Sequence, residues 1–431
     1  MKQISLILFL FFPIFVFSQQ EITLKNAIDT ALKNNFDIQI ARNNAEISKM
    51  NNSYGMAGGL PSVNISAGDN ESLLNLNQKL NNGTEINKNN VLGNNLNAGI
   101  TAGMILFNGF KVVATKERLN LLEQQGEIQL NQQIQNTIAA IMVKYYDVIR
   151  QTSYLKIIQS SLDVSKQKLE IVTQRKNVGM ANDADFMQAQ IDVNADEQNL
   201  NSQNIIIEQS KTDLLQLMNV KKYFSFSIND TIIPDKSIKI DTIINSLNKN
   251  PQFISSEYLV KINEQIVKEI SAQRYASVKI NTAYNYNLSQ SDAGQYLYNQ
   301  NLGPQVGLTL QIPIYNGNIF KTQRQSAIMN VDNAKLQKEN LLSSITANAI
   351  KTHQSYENTL KQIVSQQQNQ ELAAKLVNLV LKKFQLNQAT ILDMKTAQAS
   401  FEKSGYQLIN FQYASKIAEI ELRRLTFGIV Y

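Results

Sequence analysis

One stretch of this sequence, Asn177–Gln190 (NVGMANDADFMQAQ), returns in outline as Gln385–Gln398 (QLNQATILDMKTAQ). The two copies lie 208 residues apart, and the same offset relates Asp185 to Asp393. A chain that carries one element twice at a fixed spacing is built from two equivalent units. Its 431 residues are therefore better divided by the repeat than by the usual size of a globular domain.

The N-terminus has the pattern of an export signal. Lys2 precedes an apolar run from Ile4 to Phe17, and a polar segment follows it. This run is shorter than the roughly 20 residues that a membrane-spanning helix needs. We expect residues 1–18 to be a signal peptide and the rest to be exported, with a retained signal anchor as the alternative.

Charge and cysteine content narrow the classes of partner. The formal net charge of +6 is spread along the chain without a basic block, so we expect no nucleic-acid partner. There is no cysteine, and we therefore expect neither disulfides nor a lipidated N-terminal cysteine.

The sequence does not predict an active site. Its single histidine, His353, lies inside a polar helical pattern, where a helical histidine with a satisfied or solvated ring is expected. We find no glycine-rich phosphate loop and no cluster at metal-ligand spacing. Met104, Met187 and Met394 are interpreted as packing residues. We expect no enzymatic activity, no cofactor and no metal.

Four stretches alternate apolar residues with small or polar ones, which predicts β-strands. They are Val63–Ala67, Leu96–Met104, Val278–Tyr286 and Val306–Pro313. Strands of about ten residues can cross a bilayer when tilted, with one face on lipid and the other on a polar lumen. An ordinary half-buried sheet is the alternative.

Two polar segments, Asp69–Asn95 and Ser289–Gly303, are predicted to be long loops between these strands. Four strands cannot close a barrel by themselves, because open edges in lipid leave backbone groups unpaired. A membrane interpretation therefore requires an oligomer.

Asn-Gly turns end the second strand of each pair, at Asn108-Gly109 and Asn316-Gly317. From these turns a helical pattern runs to about Val178 and about Leu386. A continuous helix of about 70 residues would be roughly 105 Å long. The alternative is a shorter bundle with a break, and Gly126 is the obvious weak point.

The chain reverses inside the repeated stretch, near residues 179–182 and 387–390. Asp183 and Thr390 are predicted to cap the returning helices, which should end at Leu217 and Leu425. Each unit also opens with a short helix, near Thr23 and near Asp241. We therefore divide the chain into a first repeat (19–219), an inter-repeat segment (220–240) and a second repeat (241–431).

The turns LFNG and IYNG and the hairpin motifs VGMANDADFMQAQ and LNQATILDMKTAQ, all in fixed register, resemble the TolC-like outer membrane efflux protein family. The resemblance covers essentially all of the mature sequence. It implies a mixed α+β membrane protein. Four strands per chain would close a trimeric twelve-stranded outer-membrane β-barrel, and a long α-helical coiled-coil barrel would continue it into the periplasm. Residues 220–240 would lie in an equatorial belt.

The resemblance also implies a function. The homotrimer would be the passive exit duct of a tripartite efflux or type I secretion system, in contact with outer-membrane lipid, a periplasmic adaptor (membrane fusion) protein and an inner-membrane transporter. Drugs, metals and proteins all stay open as cargo, as does the resting state. The competing hypothesis is an exported periplasmic coiled-coil adaptor or scaffold.

Family positions place the gate in the repeated stretch. Asp393 aligns with a ring of aspartates that narrows the entrance, and Asp185 with a carboxylate in contacts that hold the tip closed. Thr396 stands where the family often has a second acidic residue, so a double ring is in doubt. Ala389 stands where some members carry a basic partner for the closing contacts, so that contact is in doubt as well. The expected adaptor-docking residues are Val178, Gly179, Met180, Ala181, Leu386, Asn387, Gln388 and Ala389.

Overall fold

The computed structural model describes residues 20–429, so the signal peptide expected over residues 1–18 lies outside the described residues. The helices are α1 (Leu24–Asn34), α2 (Phe36–Asn51), α3 (Lys111–Asn177), α4 (Asp183–Leu217), α5 (Ile240–Ser246), α6 (Pro251–Ala272), α7 (Ile319–Gln385) and α8 (Ile391–Leu425). The strands are β1 (Gln20–Glu21), β2 (Ser62–Lys79), β3 (Glu85–Asn108), β4 (Phe226–Ser227), β5 (Ser277–Ser291) and β6 (Tyr298–Gln311).

The chain divides into two compact units, each assembled from separate segments. One unit combines the described residues up to Gln39 with Gln133–Asn250 and the stretch from Ser344 onward. The other consists of Ile40–Gln132 and Pro251–Ser343. None of the helices within residues 20–429 combines the length and the apolar character that a membrane-spanning helix requires.

The duplication is visible in the helices. Both α3 and α7 have 67 residues, and both α4 and α8 have 35. The side-chain amide of Asn35 donates to the carbonyl of Leu217 at 3.0 Å, and the amide of Asn250 donates to the carbonyl of Leu425 at 2.9 Å. An equivalent asparagine thus holds the end of the returning helix in each repeat.

The core of the first compact unit, which contains α1, forms where α1 meets the middle of α3. Thr23 caps α1 by accepting a hydrogen bond from the amide of Asn26 at 3.2 Å, as a threonine at this position commonly does. The apolar side of α1 then packs among large, fully buried side chains from α3, α4, β4 and α8. They include Ile138, Ile141, Tyr145, Leu214, Phe226 and Ile420, and Ile28 of α1 lies among them.

Residues 220–240 are held against α7 and α8 by polar contacts. The ammonium of Lys416 donates to the carbonyl of Ile233 at 3.0 Å, and Arg423 pairs with Asp235 at 2.8 Å. His353 is buried, with Nε2 3.4 Å from the carbonyl oxygen of Ile238. The single histidine therefore has a backbone contact here.

The other unit contains a four-stranded antiparallel sheet in the order β2-β3-β5-β6. One face carries large apolar side chains that are more than half exposed, among them Val63, Ile65, Tyr284, Val306, Leu308 and Leu310. The opposite face is small and polar, with Asn64, Thr101, Asn281, Ala283, Gln305 and Thr309. An exposed apolar face of this size indicates a surface that meets lipid or another protein.

The strands are longer than predicted. The prediction that Asp69–Asn95 and Ser289–Gly303 are long loops is therefore wrong. β2 and β3 are joined by a tight turn at residues 80–84, and β5 and β6 by residues 292–297. Asparagine, serine and glutamine occupy both faces of the outer strand segments, so no period-two signal marks them. The backbone ladder forms without such a pattern, and side-chain pairs such as Asn94 with Asp69, at 2.8 Å, support it.

Two helices that precede the strands, α2 and α6, were not predicted, because their apolar residues do not lie on one well-defined side. Gly126 does not break α3, as the alternative supposed. A Cβ atom at this position would lie 3.2 Å from the hydroxyl and 3.3 Å from the Cβ of Ser48. The glycine therefore allows α2 to approach α3 closely.

Both strand-to-helix turns contain a left-handed glycine, but β3 continues to Asn108 as predicted, whereas β6 ends at Gln311, before the Asn316-Gly317 turn. Gly109 and Gly317 have φ of +67° and +65°, which glycine adopts at little cost. The side chain of Asn108 accepts a hydrogen bond from the amide of Val112 at 3.2 Å and so caps the start of α3. Asn316 occupies the corresponding position before α7.

Candidate gate and docking site at the hairpin tips

The two helical hairpins end in turns of equal geometry. Gly179 and Asn387 adopt the left-handed conformation, with φ of +73° and +62°. The amide of Met180 donates to the carbonyl of Arg175, and the amide of Gln388 donates to that of Lys383, both at 2.8 Å. These bonds form the helix C-terminal motif that glycine or asparagine favours.

The returning helices begin with different caps. Thr390 caps α8 as predicted, and its hydroxyl accepts from the amide of Asp393 at 3.2 Å. The predicted cap at Asp183 is wrong, since Asn182 caps α4 through a hydrogen bond from the amide of Asp185 at 2.7 Å. Asparagine is as good a cap as aspartate, so the sequence left both positions possible.

Asp183 instead forms an ion pair with Lys176 at 2.8 Å. The hydrogen bond and the charge of Lys176 lower the pKa of Asp183. The same ammonium lies 4.4 Å from the centre of the Phe186 ring. This ion pair joins the end of α3 to the start of α4 and so stabilises the turn of the first hairpin.

Asp185 and Asp393 occupy equivalent positions but have different contacts. The carboxylate of Asp393 accepts hydrogen bonds from the amide and the hydroxyl of Thr390, both at 2.8 Å, and completes a capping box. These backbone and side-chain hydrogen bonds lower the pKa of Asp393. Asn182 caps α4 without a capping box, so the carboxylate of Asp185 accepts no hydrogen bond from the cap residue. The Asp185 side chain is half-buried.

A small apolar cluster joins the two hairpins beneath their tips. Its buried members are Val172, Ala189, Leu381, Phe384 and Met394. Arg175 crosses from the first hairpin to the second, donates a hydrogen bond to the carbonyl of Phe384, and places its guanidinium 4.6 Å from the ring centre. Arg175 and Phe384 therefore clasp the hairpin tips together.

An open cleft of about 560 Å³ lies between the tips. Of the residues expected at the gate or docking site, it brings together Asp185, Asp393, Met180, Ala181, Asn387, Gln388 and Ala389. Val178 and Leu386 are exposed at the turns, each 69% accessible. Thr396 is exposed on α8, where its hydroxyl donates to the carbonyl of Leu392 at 2.9 Å.

Above the apolar cluster, α8 meets α3 and α4 along a polar seam that begins at a buried lysine. Lys168 is fully buried and forms an ion pair with Asp192 at 2.5 Å. Gln188 donates to the same carboxylate at 2.8 Å, and Lys395 of α8 lies 3.5 Å away. Burial alone would raise the pKa of Asp192, but the contacts with these groups lower it below its ordinary value.

The seam continues one turn further with a network across three helices. The amide of Gln398 on α8 reaches the hydroxyls of Ser161 and Ser165 on α3 at 2.6 and 2.8 Å. Asp196 on α4 accepts from Ser165 at 2.6 Å, and Glu402 on α8 accepts from Ser161. Desolvation, together with the neighbouring charge of Asp196, raises the pKa of Glu402.

Sequence reasoning missed the clasp and the seam. Arg175 lies two residues before the repeated stretch, and its equivalent in the second repeat, Lys383, is exposed, so the repeat itself gave no signal. Polar residues spaced four apart, Asp192 with Asp196 and Gln398 with Glu402, are the only trace of the seam. Such spacing is equally common on solvated helix faces.

Comparison with known proteins bears directly on this arrangement. Residues 27–220 match the family described as outer membrane efflux protein. Over these residues the predicted resemblance to the outer membrane efflux protein family is confirmed. No curated protein sequence matches this chain, so its likeness to individual proteins rests on structure.

Solved structures share the fold of this chain over nearly its whole length. The outer membrane protein VceC of Vibrio cholerae has a TM-score of 0.74 at 15% identity, covering 94% of this chain and 96% of that one. The CmeC outer membrane channel of Campylobacter jejuni has a TM-score of 0.77 at 15% identity, with coverage of 94% and 85%.

The open state of the MtrE outer membrane channel of Neisseria gonorrhoeae has a TM-score of 0.70 at 14% identity, with coverage of 94% and 89%. The four-stranded sheet and the two long helical hairpins of this chain are thus the fold of one chain of an outer membrane channel. The predicted fold class is confirmed.

Proposed function

We propose that this chain is one protomer of a homotrimeric exit duct in the outer membrane of a Gram-negative bacterium. Its four strands contribute to a twelve-stranded barrel in contact with outer-membrane lipid, and its helical hairpins extend into the periplasm. The duct is passive and receives cargo from a periplasmic adaptor and an inner-membrane transporter, in a tripartite efflux or type I secretion system. Residues 220–240 form a belt around the helices.

The sheet is the observation that carries this proposal. One face exposes large apolar side chains and the other is polar, which suits a wall between lipid and a water-filled lumen. β2 and β6 each have one unpaired edge within the described sheet. In lipid these edges have to pair, and pairing with two further copies closes the barrel.

Cell fractionation tests the location and the assembly together. We expect the protein in the outer membrane as a trimer that dissociates on heating before gel electrophoresis. A soluble monomeric pool in the periplasm would contradict the duct and favour the coiled-coil scaffold.

The tip cleft is the proposed gate. Three copies of Asp185 and Asp393 would place six carboxylates around the end of the helical duct. Their negative charge would disfavour the passage of anions. Asp393→Asn removes the charge and keeps an oxygen for the Thr390 cap, whereas Asp185→Asn removes a charge that caps nothing. We expect each variant to lower the cation selectivity of single channels in planar bilayers. Unchanged selectivity in both would rule out a carboxylate ring.

Adaptor docking is proposed for the turns themselves. Val178, Met180 and Leu386 are each at least 66% exposed, an unusual position for large apolar side chains at the end of a long polar helix. Because the natural chain has no cysteine, single cysteines at Gly179, Asn387 and Lys236 allow crosslinking without background. Crosslinks to the adaptor from Lys236 alone would place docking at the belt and contradict docking at the tips.

A further inference from the structure

A second cleft lies where the sheet gives way to the helices. It has a volume of about 380 Å³, and we name it the junction cleft after its position between the start of α3 and the end of α6. Its side chains include Tyr54, Phe110, Val113, Lys116 and Lys268. All of them belong to the same compact unit as the sheet.

The junction cleft is continuous with the apolar face of the sheet. Phe107 pairs with Val278 across the ladder and lies on that face. Its ring contacts the ring of Phe110 edge to face, with centres 5.4 Å apart. An occupant of the cleft would therefore touch whatever covers the apolar face.

Phe110 has an unfavourable conformation for its residue type. Its φ is +67°, which costs a residue with a Cβ about 1–2 kcal/mol, and its side chain is 69% exposed. The corresponding residue of the second repeat is Asn318, with a φ of +64°, a type that tolerates this region well. Folding gains little from an exposed ring here, so the ring is better explained by contact with a partner.

The charges of the cleft select an anionic partner. Lys116 lines the cleft, donates a hydrogen bond to Asn52 at 2.6 Å and lies 5.7 Å from the centre of the Tyr54 ring. Lys268 is exposed on the opposite wall. Glu117 is the only acidic residue among the described lining residues. Two ammonium groups beside exposed aromatic and aliphatic side chains match a phosphate joined to acyl chains.

We propose that the junction cleft binds an anionic phospholipid of the periplasmic leaflet of the outer membrane. The phosphate lies between Lys116 and Lys268, and the acyl chains run along Phe110, Val113 and the apolar face. This inference rests on the proposed membrane position of the sheet. It adds a lipid-selective site at one of the two junctions only, because the second repeat lacks the aromatic ring at the equivalent position.

The absence of tryptophan from the chain permits a direct test. Val113→Trp places a single fluorophore at the cleft, and Leu308→Trp places one on the apolar face. Each trimer is reconstituted in phosphatidylcholine vesicles that contain brominated phosphatidylglycerol or, at the same mole fraction, brominated phosphatidylcholine. We expect quenching in the Val113→Trp variant to prefer the anionic lipid by about fivefold or more, and equal quenching by both lipids in the Leu308→Trp variant.

Paired charge variants complete the test. In the Val113→Trp background, K116Q with K268Q should abolish the preference. K321Q with R324Q, which removes the same charge at the second junction, should leave it intact. Added inorganic phosphate should not reverse the quenching. Equal quenching by both lipids at the cleft, a preference that survives K116Q with K268Q, or reversal by phosphate would each overturn the lipid site. Absence of quenching in the Leu308→Trp variant would instead contradict the membrane position of the sheet.

Discussion

Arg175 of the first hairpin holds Phe384 of the second, through a hydrogen bond to its carbonyl and a guanidinium 4.6 Å from its ring. Both residues lie near the ends of long helices, and Phe384 also belongs to the apolar cluster that joins the hairpins. This clasp is one of the contacts that have to break before the tips separate.

Loss of the clasp should favour an open tip. Arg175→Ala removes a charged hydrogen bond and a cation–π contact, which together stabilise closure by about 1–3 kcal/mol. We expect a higher open probability in planar bilayers. Lys383→Ala alters the equivalent but exposed residue of the second repeat and should have no such effect. Equal open probabilities for Arg175→Ala and the natural protein would show that the clasp does not hold the gate.

The polar seam should weaken as pH rises. Glu402 faces Ser161 on α3, Asp196 on α4 and Gln398 on its own helix, and the pKa of Glu402 is raised by burial. Below the ordinary value of 4.5 the carboxyl is protonated in both the folded and the unfolded chain. As pH increases through the raised folded-state pKa, the protein has to hold a half-buried carboxylate, and stability is lost.

Glu402→Gln should remove this loss while keeping an oxygen for Ser161. Thermal unfolding of the detergent-solubilised trimer should show the variant more stable than the natural protein at neutral pH, with the difference shrinking towards pH 4.5. The exposed Glu371→Gln serves as the control for a simple change in net charge. A constant difference across the pH range would refute the role of Glu402.

The buried ion pair between Lys168 and Asp192 should tolerate replacement of both partners by apolar residues, but not the loss of one partner alone. Lys168→Met leaves Asp192 buried without its main partner, and we expect a loss of about 3 kcal/mol, at the lower end of such effects because Gln188 and Lys395 also reach it. Adding Asp192→Leu should restore most of the stability. Denaturant unfolding of Lys168→Met, Asp192→Leu and the double variant measures this cycle, and additive losses would disprove the coupling.

The two strand-to-helix glycines should differ sharply in tolerance. A Cβ at Gly109 would lie 2.5 Å from the carbonyl oxygen of Ala272 and 2.7 Å from the Cβ of Tyr275, whereas one at Gly317 would meet no described atom within 4 Å. Gly317→Ala should cost only the about 1–2 kcal/mol of a positive φ. Gly109→Ala adds a backbone clash and should greatly reduce the yield of folded trimer. Similar yields would show that the first junction can relax.

The sequence predicted elements wherever a local rule decided the structure. Thr390 and Asp393 sit three residues apart at the start of an apolar repeat, and the predicted cap of α8 is confirmed. The ends of the returning helices at Leu217 and Leu425 were likewise predicted from the repeat.

What escaped prediction depends on contacts between distant segments. The outer halves of β2 and β3 are strands because their backbones pair, although their side chains do not alternate. Asn182 rather than Asp183 caps α4, a choice between two suitable neighbours that tertiary packing makes. Arg175 and Phe384 are 209 residues apart, and no local pattern relates them.

The equal lengths of α3 and α7, and of α4 and α8, restrict how such a chain can gain or lose residues. One residue inserted into α3 would advance its tip by about 1.5 Å and turn it by roughly 100°, which moves Arg175 away from Phe384. Only compensating insertions in α4, α7 and α8 would bring the two tips back into register. Additions and deletions during evolution are therefore expected to accumulate in residues 80–84, 220–240 and 292–297, while the four long helices gain or lose residues together.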